Sequence, residues 1–134
     1  MRELSTVEEY LFIGLDSNKL DIGVDNVYVG QAPEASTKPF ILIQFVSSED
    51  MRCGFSNITG TMFKYLIEVF VEGESFPYTE SEEMDLLLNG AVSTLNDIKI
   101  NIARINPTST VDHYEGHEIR RSGGMYQIIA RRLA

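Results

Sequence analysis

The sequence predicts a single α+β domain over residues 1–134. Its sheet is expected to be mainly antiparallel, with about five to six strands, an N-terminal helix and one central amphipathic helix packed on one face. Three observations predict this class. Residues 61–72 alternate apolar and polar with the period of a strand. Met84, Leu87, Leu88, Ala91, Val92 and Leu95 follow helical spacing. Two strand-like runs flank a Gly-Gly pair near the C-terminus.

Taken in order, Ser5 with Glu8 matches a capping box, and Thr6 is a competing N-cap. Val7, Tyr10, Leu11, Gly14 and Leu15 continue the helix until Asp16-Ser17-Asn18 ends it. Residues 17–26 read as a connecting loop. Val27-Tyr28-Val29 is a short strand closed by Gly30. Phe40 to Val46 is apolar on both faces, which suits a central strand. Residues 47–60 are polar, contain Gly54 and Gly60, and read as a long loop, either functional or partly disordered.

In the next strand Phe63, Tyr65, Ile67, Val69 and Val71 share the face assigned to the core. Met62, Lys64, Leu66, Glu68, Phe70 and Glu72 share the other, which Leu66 and Phe70 mark for cover by a neighbour. Thr79 and Glu82 form a second capping box, opening a helix that runs to Asn96. Ile98, Ile100 and Ile102 begin a strand that Asn106-Pro107 is expected to break after Ile105. His113 to Arg121 is a strand, Ser122-Gly123-Gly124 a turn, and Met125 to Arg132 the last strand.

The bulk properties narrow the function. The net charge is −9, with −12 over residues 1–97 and +3 over residues 98–134. A chain this acidic repels a phosphate backbone, so a broad DNA-binding face is not expected. No apolar run approaches the roughly 20 residues that span a bilayer, and the start Met1-Arg2-Glu3-Leu4-Ser5 lacks a signal-peptide core. The single Cys53 forms no internal disulfide and fits a cytosol.

Chemistry-bearing patterns are sparse. His113 and His117 are four apart, but Tyr114 stands where a zincin motif needs Glu, and on one strand the imidazoles would lie about 13 Å apart. Cys53 has Arg52 beside it but no general base tied to it by sequence. Glu80, Glu82, Glu83 and Asp85 fit the first turns of a helix. No phosphate-binding loop is present. No catalytic residue, metal site or cofactor is expected. Arg120, Arg121, Arg131 and Arg132 form two pairs read as flanking the Gly-Gly turn. They suit either an interface or a basic edge that deters strand pairing.

Several segments together carry a resemblance. They are the N-terminal helix, Val27 to Pro33, Lys38-Pro39 leading into Phe40 to Phe45, Lys64 to Val71, the helix from Thr79, and His117 to Arg132. With this order of elements the chain resembles the tail terminator or tail completion (tail-to-head joining) proteins of long-tailed bacteriophages and prophages. The resemblance covers nearly the whole chain through a pattern, without an invariant motif. The stretch 47–60 and the strong acidity depart from it.

The resemblance implies a structural virion protein without enzyme activity: a self-assembled ring, usually a hexamer, capping the tail tube. It would end tube polymerisation and meet the head connector, while DNA passes through the lumen without specific binding. The expected location is the head-proximal end of the virion tail, and the host cytoplasm during assembly. Glu49, Asp50, Arg52, Phe55, Arg120, Arg121, Arg131 and Arg132 are the candidate interface residues, together with the stretches 47–60 and 106–112. Another neck or tube protein of the same particle, or a ligand-binding module with a ferredoxin-like sheet, are the alternatives.

Overall fold

The computed structural model describes residues 2–33, 39–53, 57–114 and 116–132. Helix α1 spans Arg2–Ser17 and α2 spans Lys19–Ile22. Strands β1, Asn26–Val29, β2, Phe40–Cys53, and β3, Asn57–Glu72, follow. Helix α3, Tyr78–Leu88, leads into β4, Val92–Leu95, β5, Ile98–Tyr114, and β6, His117–Arg132. The class is α+β, and the six strands lie in the order β1-β2-β3-β6-β5-β4. The sheet is mixed, because β1 runs parallel to β2. The ten residues 30–39 that join them leave room for a crossover that a tight hairpin would not.

Helix α1 begins before Ser5, so the expected capping box lies inside the helix and Thr6 is buried. Val7, Leu11 and Leu15 bury completely. The expected loop over 17–26 contains α2, closed by Gly23 at φ +96. That left-handed conformation lets the Gly23 N–H return to the Lys19 carbonyl.

The core forms where the odd residues of β3 meet their partners across the sheet. Phe63, Tyr65, Ile67 and Val69 are fully buried with Ile41, Ile43, Ile100 and Ile128. Met84 and Leu88 of α3 join the same cluster, as do Val7, Leu11 and Leu15. At about 25 cal/mol per Å² of apolar surface, such a continuous cluster is the principal force holding the sheet to its helices.

Four further expectations change. First, residues 47–60 are mostly strand. β2 and β3 pair from Phe40 with Phe70 out to Cys53 with Asn57, interrupted at Val46 and near the tip. Polar side chains are tolerated there because Ser47, Ser48, Glu49 and Asp50 face solvent. Second, the helix expected to open at a Thr79–Glu82 capping box and reach Asn96 instead starts at Tyr78, with Pro77 at its N-cap and no side-chain cap, and stops at Leu88. Asn89 is extended, Gly90 has φ +84, and β4 follows. Leu95 pairs with Ile98, so Asn96 (φ +52) and Asp97 (φ +62) alone turn the chain. This is the left-handed pair that tight hairpins need. Val92, expected on the buried stripe, is exposed.

Third, Asn106-Pro107 does not end β5. Ile105 bulges out of register and Pro107 still stands opposite Gly124. Proline is tolerated because β5 is an edge strand at that level. Fourth, Ser122-Gly123-Gly124 is no turn but the middle of β6. A Cβ on Gly123 would lie 2.1 Å from the Ile67 carbonyl oxygen, so glycine is there for close strand approach. The true turn lies between Tyr114 and His117, where Gly116 has φ +81.

Candidate functional site

The two central hairpins outrun the short strands beside them. β1 pairs with β2 only from Phe40 to Ile43, after which the Gly30 N–H donates to the Ile43 carbonyl. From Gln44 to Cys53 the outer side of β2 has no strand beside it among the described residues. On the opposite flank β4 pairs with β5 only from Ile98 to Asn101. Gly90 and Ala91 satisfy Ile102, and the Arg104 N–H donates to Asn89 Oδ1 at 3.0 Å. From Ile105 to Tyr114 no strand lies outside β5 among the described residues.

A bulge lies near the start of each open edge, and both bulges sit at one level of the sheet. Phe45 is opposite Tyr65, Tyr65 opposite Tyr126, and Tyr126 opposite Arg104. Val46 and Ile105, the next residues on the outer strands, are the unpaired extra residues. Phe45, Val46 and Ile105 are 46%, 47% and 49% exposed. Bulges twist an edge and re-aim its side chains, and here they turn apolar groups outward at the head of each open edge.

The expected interface residues divide among these places. Glu49, Asp50 and Arg52 lie on the open part of β2, exposed, with Asp50 Oδ1 accepting from Thr61 Oγ1 at 3.5 Å. Phe55 lies outside the described residues. The four arginines do not flank a turn: all stand on β6. The pairs are about 33 Å apart along one strand. Arg131 and Arg132 are exposed beside Lys99 and Ile98. Arg120 is held internally, with Nη1 donating to the Gly73 carbonyl and to Glu118 Oε2 at 2.7 Å, and its guanidinium over the Phe76 ring. Residues 106–112, read as a loop, belong to β5.

Arg121 serves a group that sequence reasoning placed on the outer face without a role. Glu68 is 2% exposed, and its Oε2 accepts from Thr108 Oγ1 at 2.8 Å. Arg121 Nε lies 3.7 Å from Glu68 Oε1 and 3.5 Å from Asp112 Oδ2. Neither Glu68 Oε1 nor Arg121 Nε has a hydrogen-bond partner. The register opposite Gly123, which has no side chain to cover that spot, puts Glu68 against the sheet. Only the pairing of β3 with β6 reveals this.

The two histidines lie on either side of the β5–β6 turn, not on one strand as the 13 Å separation assumed. His113 pairs with Glu118, and His117 Nδ1 is 2.6 Å from Glu72 Oε1. Among the described residues no group of three or more His, Cys, Asp or Glu side chains is arranged to hold a metal ion. No described helix is long and apolar enough to cross a membrane.

A polar cleft of about 450 Å³ lies between α3 and the β5–β6 hairpin, lined by Tyr78, Ser81, Asp85, Leu86, Arg104 and Ser109. Asp85 is committed inside it, accepting from Tyr126 Oη at 2.8 Å and lying 3.5 Å from Arg104 Nε. Burial, reinforced by the hydrogen bond to Asp85, holds the Tyr126 phenol well above the usual tyrosine range. Tyr65 is raised in the same direction, by burial first and by Glu8 second. Each of these two phenols is thereby tied to a carboxylate on a helix.

Neither the family models nor the curated proteins give a match to this chain.

Proposed function

We propose that this chain is a structural subunit of a long-tailed phage or prophage particle. It assembles into a ring, usually a hexamer, that caps the tail tube, ends its polymerisation and meets the head connector. The observation that supports this reading is the pair of open strand edges on opposite flanks of one sheet. A subunit with two different sticky edges joins head to tail, and head-to-tail contacts close into rings when the rotation permits. An acidic chain, at −9 overall, also suits a lumen through which DNA slides without sticking. The working location is the head-proximal end of the tail, after assembly in the host cytoplasm. No catalytic step belongs to this role.

Light scattering after size exclusion, across concentration and with and without tail tubes, tests it. The expected particle is near six times the 15.1 kDa chain mass, alone or on the tube. A monomer under all these conditions overturns the reading. The cleft beside α3 favours a second reading, a ligand-binding module, because it gathers Asp85, Arg104 and Ser109 around one space. A small-molecule screen that raises the melting temperature of a strictly monomeric chain would select it.

A further inference from the structure

The sheet has the outline of a stair. β1 covers only the start of β2, and β4 covers only the start of β5. Each short strand therefore leaves a step: Gln44–Cys53 on one flank and Ile105–Tyr114 on the other. The steps lie at opposite ends of the strands, because β2 and β5 leave the shared Tyr65–Tyr126 level in opposite directions.

We infer that the open edge of β2 in one copy adds antiparallel to the open edge of β5 in a second copy. The sheet thereby continues from subunit to subunit. This inference rests on the ring reading above and names its contact.

Strand sense agrees with it. β2 is antiparallel to β3, β3 to β6 and β6 to β5, so the next copy's β2 meets β5 antiparallel with the helices on the same side of the sheet. The steps fit when one copy slides along the strands by about eight residues, roughly 26 Å. At that offset the second copy's β1 falls beyond the end of β5, and the first copy's β4 beyond the tip of β2. An even offset is required, because a shift by one residue would put every side chain on the wrong face.

Side-chain chemistry selects this register. It sets Glu49 opposite Thr110 and Asp50 opposite Ser109, carboxylates against hydroxyl donors. Sliding two residues further would oppose Glu49 to Asp112, two like charges. Sliding two fewer would oppose Asp50 to Pro107, whose side chain offers the carboxylate no donor, in place of the Ser109 hydroxyl. The exposed apolar groups Val46 and Ile105 stand at the two ends of the seam. Charged residues on a lone edge deter indiscriminate pairing, and here they leave one favoured partner.

The test is disulfide trapping in a Cys53→Ser background. Glu49→Cys with Thr110→Cys places two exposed positions across the seam, about 4.5 Å apart between Cα atoms as in a non-hydrogen-bonded antiparallel pair. Ser48→Cys with Thr110→Cys, on opposite faces, is the control. The expected result is a ladder of linked multimers from the first variant and none from the control, each with the parent's circular dichroism. An assembled particle of ring mass in which the first variant links no better than the control overturns this seam and leaves the ring reading standing. A chain that stays monomeric and unlinked, with tubes present or not, overturns both.

Discussion

Tyr65 and Tyr126 face each other in register on adjacent central strands, and each donates its hydroxyl to an acid on a different helix. Tyr65 Oη reaches Glu8 of α1 at 3.1 Å, and Tyr126 Oη reaches Asp85 of α3 at 2.8 Å. Both residues are fully buried. One row of the sheet thus anchors both α1 and α3. Phe at either position keeps the ring and removes the bond. Each single Phe variant is expected to lower stability by about 1–2 kcal/mol in denaturant unfolding, with oligomeric mass unchanged.

The same pair sets an alkaline limit. Burial raises both phenols above their ordinary value, so the folded chain keeps protons that the unfolded chain releases. The unfolded state binds fewer protons above the ordinary tyrosine value of about 10, so stability falls there. Stability from these two groups is whole below that value and is lost as pH rises toward the raised folded values. Absorbance titration should show two phenols that ionise only with unfolding, and the Tyr65→Phe, Tyr126→Phe double variant should lose that lag.

Arg121 is expected to matter more for stability than its position near a surface suggests. Removing it leaves the Glu68 carboxylate buried beside Thr108 alone. Arg121→Met should cost about 3 kcal/mol or more. The double variant Glu68→Gln, Arg121→Met should recover part of that loss, because no buried charge is left uncompensated. A double-mutant cycle by urea unfolding measures the coupling, and strict additivity would refute it.

Gly123 and Gly124 should respond differently to alanine. At Gly123 the new Cβ meets backbone, 2.1 Å from the Ile67 oxygen and 2.7 Å from the Glu68 Cα. At Gly124 its closest neighbour, at 2.7 Å, is the flexible Arg104 side chain. Gly123→Ala is expected to disrupt the pairing of β3 with β6 and to leave little folded protein. Gly124→Ala should fold with a loss of about 1–3 kcal/mol. Comparable soluble yields and melting temperatures would contradict this ordering.

Asp97 offers the opposite effect. It holds φ +62 in the turn between β4 and β5, a conformation that costs an ordinary L-residue about 1 kcal/mol. Asp97→Gly creates an Asn-Gly turn and should raise the denaturant midpoint by a comparable free energy.

Local patterns determined much of this chain. The alternation of Phe63 to Val69 read correctly as a strand with one core face, and Val7, Leu11 and Leu15 as a helix stripe, because both patterns record which side of an element meets the core. The helix from Thr79 was legible in its first turns. Its end was written in Asn89-Gly90, and the turn after β4 in Asn96-Asp97, but the apolar spacing of Ala91, Val92 and Leu95 masked those signals.

Tertiary structure decided the rest. Gly-Gly signals a turn when a chain is read alone, yet Gly123 exists because two neighbouring backbones approach it from β3. Polar residues 47–53 read as loop, yet pairing with the other arm of the hairpin keeps them in a strand. Glu68 looked like a solvated charge until β6 and β5 closed over it with Arg121 and Thr108. The open edges were invisible to local reading for the same reason: an edge is defined by the strand that is not beside it, and only the order β1-β2-β3-β6-β5-β4 states which strands those are.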